Sequence, residues 1–271
     1  MSQILDHVRA SNNLKERRTL VSCASVATWW TRPSQRRLFS SVEIGESSYR
    51  RWMDGVVLSG SKNHLLGHVR SLWHGRRPGL GTKYRMRDLA HDSGGYLSGL
   101  RNLRNLTLSN ILVEHISEGE FHTCFSAYRE TLTYLNINTL TTSFSAFVTL
   151  VGYFPNLTSL RLHWFTLKPD EGPVTSLSQP LRGKLHIHDV PADSLEFFSR
   201  FTQLDTEYEE LIIDSFTDLE ASGFAETALR ISPSTVKFLR LGQELRCKGS
   251  LPVHLFEPAP LLDVPTFKSR R

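Results

Sequence analysis

The chain has three cysteines in 271 residues, Cys23, Cys124 and Cys247, far apart and odd in number. Neither a disulfide framework nor a paired-cysteine zinc site can be built from them, and such sparse use points to a reducing compartment. No run approaches the roughly 18 consecutive apolar residues that a membrane helix needs. The opening residues, Met1-Ser2-Gln3-Ile4-Leu5-Asp6-His7, lack the basic-then-apolar order of a signal peptide. The expectation is a soluble, cytoplasmic or nuclear protein with no membrane partner. Catalytic signatures are missing as well: no Gly-x-Ser-x-Gly elbow, no Gly-x-x-x-x-Gly-Lys loop and no His-Glu-x-x-His occurs. Cys124, between Phe121 and Phe125, reads as packing rather than as a nucleophile. No enzyme and no cofactor are expected.

What is present is unevenly spread. Apolar residues make up 39% and charged residues 22%, enough for a folded core of one large domain or two modest ones. The net charge of +5 hides a split. Residues 1–105 carry 18 Lys and Arg against 7 Asp and Glu, a net of +11; the remainder carries 14 against 20, a net of −6. The two parts are therefore expected to meet different partners.

From residue 103 onward one short pattern recurs: apolar, any, apolar, any, any, apolar. It reads Leu106-x-Leu108-x-x-Ile111, Leu135-x-Ile137-x-x-Leu140, Leu160-x-Leu162-x-x-Phe165, Leu185-x-Ile187-x-x-Val190 and Leu211-x-Ile213-x-x-Phe216. A sixth copy, Leu239-x-Leu241, has Glu244 in the third place. The first leucines lie 29, 25, 25, 26 and 28 residues apart, and Leu103, Leu132, Leu157, Tyr208 and Val236 open five of the copies three places earlier. A short strand with a return of this length is the unit of a leucine-rich repeat, in which each copy buries its apolar face on the next. The usual Asn of the turn is replaced by Ile111, Leu140, Phe165, Val190 and Phe216, so these turns must satisfy their backbone groups by other means. The returns read as helical at 115–128, 142–151, 193–198 and 218–224, and as loop at 168–174. Val69 to Leu72 reads as a first, degenerate strand, Gly75 to Arg85 as a basic loop, and Pro252, Pro258, Pro260 and Pro265 make the tail irregular.

The N-terminal segment has a different character. Residues 13–30 read as a helix stopped by Thr31-Arg32-Pro33, then 33–39 as a short helix and 38–44 as an alternating strand. The segments Ile4-Leu5-Asp6-His7-Val8, Leu20 to Val26 and Trp30 to Phe39 resemble an F-box, in the form common to fungal F-box proteins followed by leucine-rich repeats. Cys23, Val26, Trp30, Leu38 and Phe39 match its motif; Ser25 stands where the family usually has Leu, and the opening Leu-Pro segment has no counterpart. The resemblance implies an α/β fold: an irregular leucine-rich-repeat solenoid of parallel strands with helical or loop returns, preceded by a short all-α F-box-like segment. The expected divisions are 1–44 (F-box-like), 45–102 (linker and degenerate first repeat), 103–245 (repeats) and 246–271 (irregular tail). It further implies a substrate-recognition adaptor of a cullin-based ubiquitin ligase, docking onto a Skp-type adaptor through Ile4, Leu5, Cys23, Val26, Trp30, Pro33, Leu38 and Phe39 and holding a protein substrate on its repeats. The alternative is a standalone repeat scaffold without a ligase link.

With the paired leucines inward, the intervening side chains form three columns on the other face. These run Asn105, Tyr134, Ser159, Lys184, Glu210, Phe238; Thr107, Asn136, Arg161, His186, Ile212, Arg240; and Ser109, Asn138, His163, His188, Asp214, Gly242. Tyr134, Asn136, Arg161, His163, Trp164, His186, His188 and Arg240 are the candidate binding residues, suited to an acidic or phosphorylated protein segment because Arg meets carboxylate or phosphate bidentately. His186 and His188, with His163 beside them, lack the further ligand at fixed spacing that zinc requires, so no metal is expected. The paired arginines at 17–18, 36–37, 50–51 and 76–77 raise nucleic acid as a partner, but they are scattered and carry no recognised reading motif, so a basic nucleic-acid-associated protein ranks last.

Overall fold

The computed structural model describes Ser22 and residues 28–45, 63–75, 84–85, 97–113, 118–168, 177, 179–188, 195–214, 230–231 and 234–242. Helix α1 (Thr28–Leu38) leads through a turn into β1 (Ser41–Ile44), followed by β2 (Ser71–Gly75), β3 (Tyr84–Arg85) and β4 (Asn105–Val113). Then come α2 (Glu118–Phe125), β5 (Tyr134–Thr142), α3 (Phe144–Gly152), β6 (Ser159–Leu167), β7 (Leu181–His188), α4 (Leu195–Phe201), β8 (Thr206–Asp214) and β9 (Phe238–Gly242). The fold is α/β. Its strands form one sheet in the order β1-β2-β4-β5-β6-β7-β8-β9, with β3 paired to the second half of β4. Every pairing is parallel.

Parallel neighbours demand a crossover for every strand, and the apolar returns supply the second side of the core. Leu106 and Leu108 and their partners on β5 to β8 are buried, as are Phe121 and Phe125 of α2, Phe144 and Phe147 of α3, and Phe197, Phe198 and Phe201 of α4. Phe197 has ring neighbours on two other elements, Phe144 and Phe147 on α3 and Phe165 on β6, besides Phe201 of its own helix. Ser143 caps α3 by accepting the Ala146 amide at 3.2 Å, as a Ser directly before an apolar run should.

The turns satisfy their backbone through a ladder one residue ahead of each strand. The Ser40 carbonyl accepts the amides of Arg70 and Ser71, that of Arg70 accepts those of Arg104 and Asn105, that of Arg104 accepts those of Thr133 and Tyr134, and that of Thr133 accepts those of Thr158 and Ser159. Side chains complete it: Asn102 donates to the Gly67 carbonyl at 2.7 Å, Thr131 to Leu103 at 2.7 Å and Asn156 to Glu130 at 2.8 Å. At Ile111, Leu140 and Phe165 the strands pair on past the usual turn position, which satisfies the backbone and leaves these side chains in the core.

Several expectations are corrected. α1 is not stopped at Thr31-Arg32-Pro33 but runs through Pro33. Pro33 is exposed, so its missing amide forfeits one bond on the solvent side. Arg36 and Arg37 in the last turn lie favourably at the negative end of the helix dipole. The strand after it begins at Ser41, because Phe39 and Ser40 are held in a turn by the amide of Phe39 bonding the Gln35 carbonyl at 2.9 Å. The segment 1–44 is therefore not all-α: β1 belongs to the sheet. The degenerate strand lies at Ser71–Gly75, and Arg85, expected in a loop, pairs with Leu112. Buried Leu181 stands four residues before Leu185 rather than three, in step with strand alternation, and the register slips between Gly183 and Lys184 because β8 carries one extra residue there, Glu209. The 218–224 helix and the 246–271 tail lie outside the described residues.

Candidate functional site

Strands β4, β5 and β6 each contain one residue in the left-handed region, Asn110 (φ 58°), Thr139 (φ 60°) and Trp164 (φ 51°). These three are skipped by the pairing, so each strand has two arms that meet at a corner. The first arms carry the polar face. Register places Thr107, Asn136, Arg161, His186, Ile212 and Arg240 in one row, and the same row continues the other way through Trp73 to Glu43. The adjoining row runs Ser109, Asn138, His163, His188, Asp214, Gly242.

Asp214 organises the charge. Its carboxylate, with the side chain only 14% exposed, accepts from His186 Nε2 at 3.1 Å and lies 3.4 Å from Arg240 Nε. Lys184 pairs with Glu210 across the next row. Burial holds His186 below the ordinary imidazole pKa; the hydrogen bond to Asp214 opposes this, and the positive charge of Arg161 adds to it. The imidazole is thus neutral at pH 7. The His163 and His188 rings stack at 4.6 Å with an interplanar angle of 11°, and His186 meets His188 edge-on at 6.1 Å. Asn136 Oδ1 is buried and makes no hydrogen bond among the described residues.

The structure therefore gathers Arg161, His163, His186, His188 and Arg240, with Asn136 beside Arg161. Tyr134 stands one row away, between Asn105 and Ser159. Trp164 lies at the corner rather than in a row, 45% exposed and 5.3 Å from the His163 ring. The sequence reading left Asp214 and Trp73 out of its site, although both sit one residue past an inward apolar position, which is the signal that finds them. Of the docking set, Ile4, Leu5, Cys23 and Val26 lie outside the described residues. Trp30 and Pro33 are in α1, Leu38 ends it half-buried, and Phe39 packs against the core. Among the described residues no group of three or more His, Cys, Asp or Glu is arranged to hold a metal ion. No family model matches the chain, and neither a curated protein nor a solved structure matches it.

Proposed function

We propose that the chain is a receptor for a protein partner, built as an irregular leucine-rich-repeat solenoid, and that it serves as the substrate-recognition adaptor of a cullin-based ubiquitin ligase in the cytoplasm or nucleus. It acts by binding, not by catalysis. The observation that carries the receptor reading is the polar face itself, where in-register strands set Arg161, His186 and Arg240 side by side around Asp214. Arg161 has no carboxylate partner among the described residues, so its planar fork is available to a carboxylate or phosphate of an extended segment. Charge reversal tests the face: Arg161→Glu with Arg240→Glu should weaken partner capture at least about tenfold, since each charged hydrogen bond contributes roughly 1.5–3 kcal/mol. Unchanged capture overturns the assignment.

The ligase link rests on the resemblance of residues 4–39 and is supported by the way α1 leads straight into the edge strand β1, leaving the polar face open beyond a docked adaptor. A second reading, a scaffold whose α1 only closes one end of the sheet, is favoured by Ser34, fully buried, and by Phe39 against the core. Retention of the full chain on an immobilised Skp-type adaptor, lost in Trp30→Ala with Leu38→Ala, supports the ligase role. A folded chain that is not retained leaves the scaffold.

A further inference from the structure

A second charged surface lies at the strand-entry side of the first units, where Arg70 and Arg104 directly precede their strands. The helix α1 ends with Arg36 and Arg37 and delivers the chain to Ser40, whose carbonyl accepts the Arg70 amide at 2.9 Å. The Arg70 carbonyl in turn accepts the Arg104 amide at 2.8 Å, so Arg70 and Arg104 occupy equivalent positions about one strand spacing (~4.8 Å) apart. The Asn102 side chain bonds the Gly67 carbonyl at 2.7 Å, which ties the turn that carries Arg101 and Arg104 to the 63–68 turn. Burial, and after it the positive charge of Arg36 and His64, hold His68 below the ordinary imidazole pKa, so Arg36 acts on the same turn. Arg36, Arg70, Arg101 and Arg104 are exposed and have no carboxylate partner among the described residues. Within residues 1–105, Glu43 is the one acid among the described residues, and it belongs to the polar face. The seven acids of that whole stretch cannot reverse its 18 bases.

We propose that this arginine edge, Arg36, Arg70, Arg101 and Arg104, binds the phosphate backbone of a single-stranded nucleic acid. Protein partners are held by apolar and aromatic anchors buried at the centre of the contact. The exposed large apolar side chains among the described residues, Trp164 and Phe238, both lie on later strands. A patch of exposed arginines with no exposed large apolar side chain beside it among the described residues suits a ligand whose binding is driven by counterion release, and guanidinium forks match phosphate oxygens. The sequence offered its arginine pairs as the nucleic-acid signal; the fold assembles this edge mostly from single arginines 34 residues and more apart from the pair at 36–37.

The full chain is titrated against a fluorescently labelled 20-nucleotide oligouridylate, following anisotropy at about 50 and about 200 mM salt. Four neutralised phosphates predict a loss of roughly 50-fold in affinity over that range, from a slope of about −0.7 per phosphate for single strands. Arg70→Ala with Arg104→Ala should bind more weakly and reduce the salt effect to roughly 7-fold. Arg161→Ala with Arg240→Ala, on the later strands β6 and β9, should behave as wild type, which keeps this test separate from the receptor reading. Failure to bind at the lower salt, or an unaltered salt effect in the Arg70/Arg104 variant, overturns the proposal. So does displacement of the RNA by a polyglutamate of equal charge at equal concentration, which would assign the edge to an acidic protein surface.

Discussion

His74 sits in the register place held by Leu108 on the neighbouring strand and by Ile44 on the other, an inward core position occupied by an imidazole. Burial lowers its pKa to about 4. The unfolded chain therefore binds a proton near pH 6.5 that the folded chain refuses until about pH 4. Stability is complete above pH 6.5, falls as the pH drops through that window, and levels off below it, for a total on the order of 3 kcal/mol. In urea titrations at pH 7, 5.5 and 4, the wild-type midpoint should fall with acidity more steeply than that of His74→Leu, and parallel curves would remove His74 from the account. Trp164 makes the opposite case. A bulky side chain at φ 51° costs roughly 1–2 kcal/mol, which Asn tolerates and Trp does not. Trp164→Asn should raise stability by about 1 kcal/mol in chemical denaturation while weakening partner capture, because the exposed indole beside His163 is then lost. A variant that is both more stable and fully competent would show the strained indole to be idle in binding.

At the scale of the element, β7 depends on one residue that has no side chain. Gly183 has φ 89°, and a Cβ there would stand 2.1 Å from the Thr158 carbonyl oxygen. Gly183→Ala should destabilise by more than the roughly 1–3 kcal/mol of backbone strain alone, since the carbonyl must also move. The control is Gly119→Ala, in α2 with open space around it, where a gain of about 0.5–1 kcal/mol is expected. Equal midpoints for the two variants would mean that β7 shifts freely. Gly183 also marks where the sequence stops being readable. Leu-x-Leu alternation is a period-two signal, so six strands and their common register could be taken from spacing alone, and the structure pairs those residues as aligned. Leu181, one place off the three-residue rule of the other copies, was illegible because β7 keeps strict alternation back to it, while the extra residue in β8 takes up the mismatch. β1 and β2 were legible as strands, near 38–44 and 69–72, but not in the repeat register: Val42-x-Ile44 has no full copy of the pattern, and His74 replaces the second leucine of its pair. Asp214 was in view as a column residue, but its pairing with both His186 and Arg240 depends on side-chain reach across two strands, which spacing does not encode.

At the scale of the whole molecule, nearly every long-range backbone bond joins one strand to the next in chain order. Such an array has no single closing contact, so its stability is a sum of local units and their interfaces, and it should open from its ends. β5 and β6 are flanked on both sides, with Leu135, Ile137, Leu160 and Leu162 buried, and the aromatic side chains of α2 and α3 lie beneath them. Among the described residues β9 ends the sheet at one side, with Leu239 only half-buried and Phe238 exposed, and β1 ends it at the other with four residues. Native-state hydrogen exchange should therefore give the β5 and β6 amides the highest protection and the β1 and β9 amides less by about 2 kcal/mol or more, with β8 intermediate. The gradient bears on both proposed surfaces. Arg240 lies on the outermost strand and reaches the Asp214 carboxylate on β8, while Arg161 lies on a central one, so partner binding across the two should protect β9 most. An oligonucleotide on the arginine edge should instead protect β2 and the 63–68 turn. Uniform protection along the chain, in the free protein, would mean that the sheet opens as a single cooperative body rather than unit by unit.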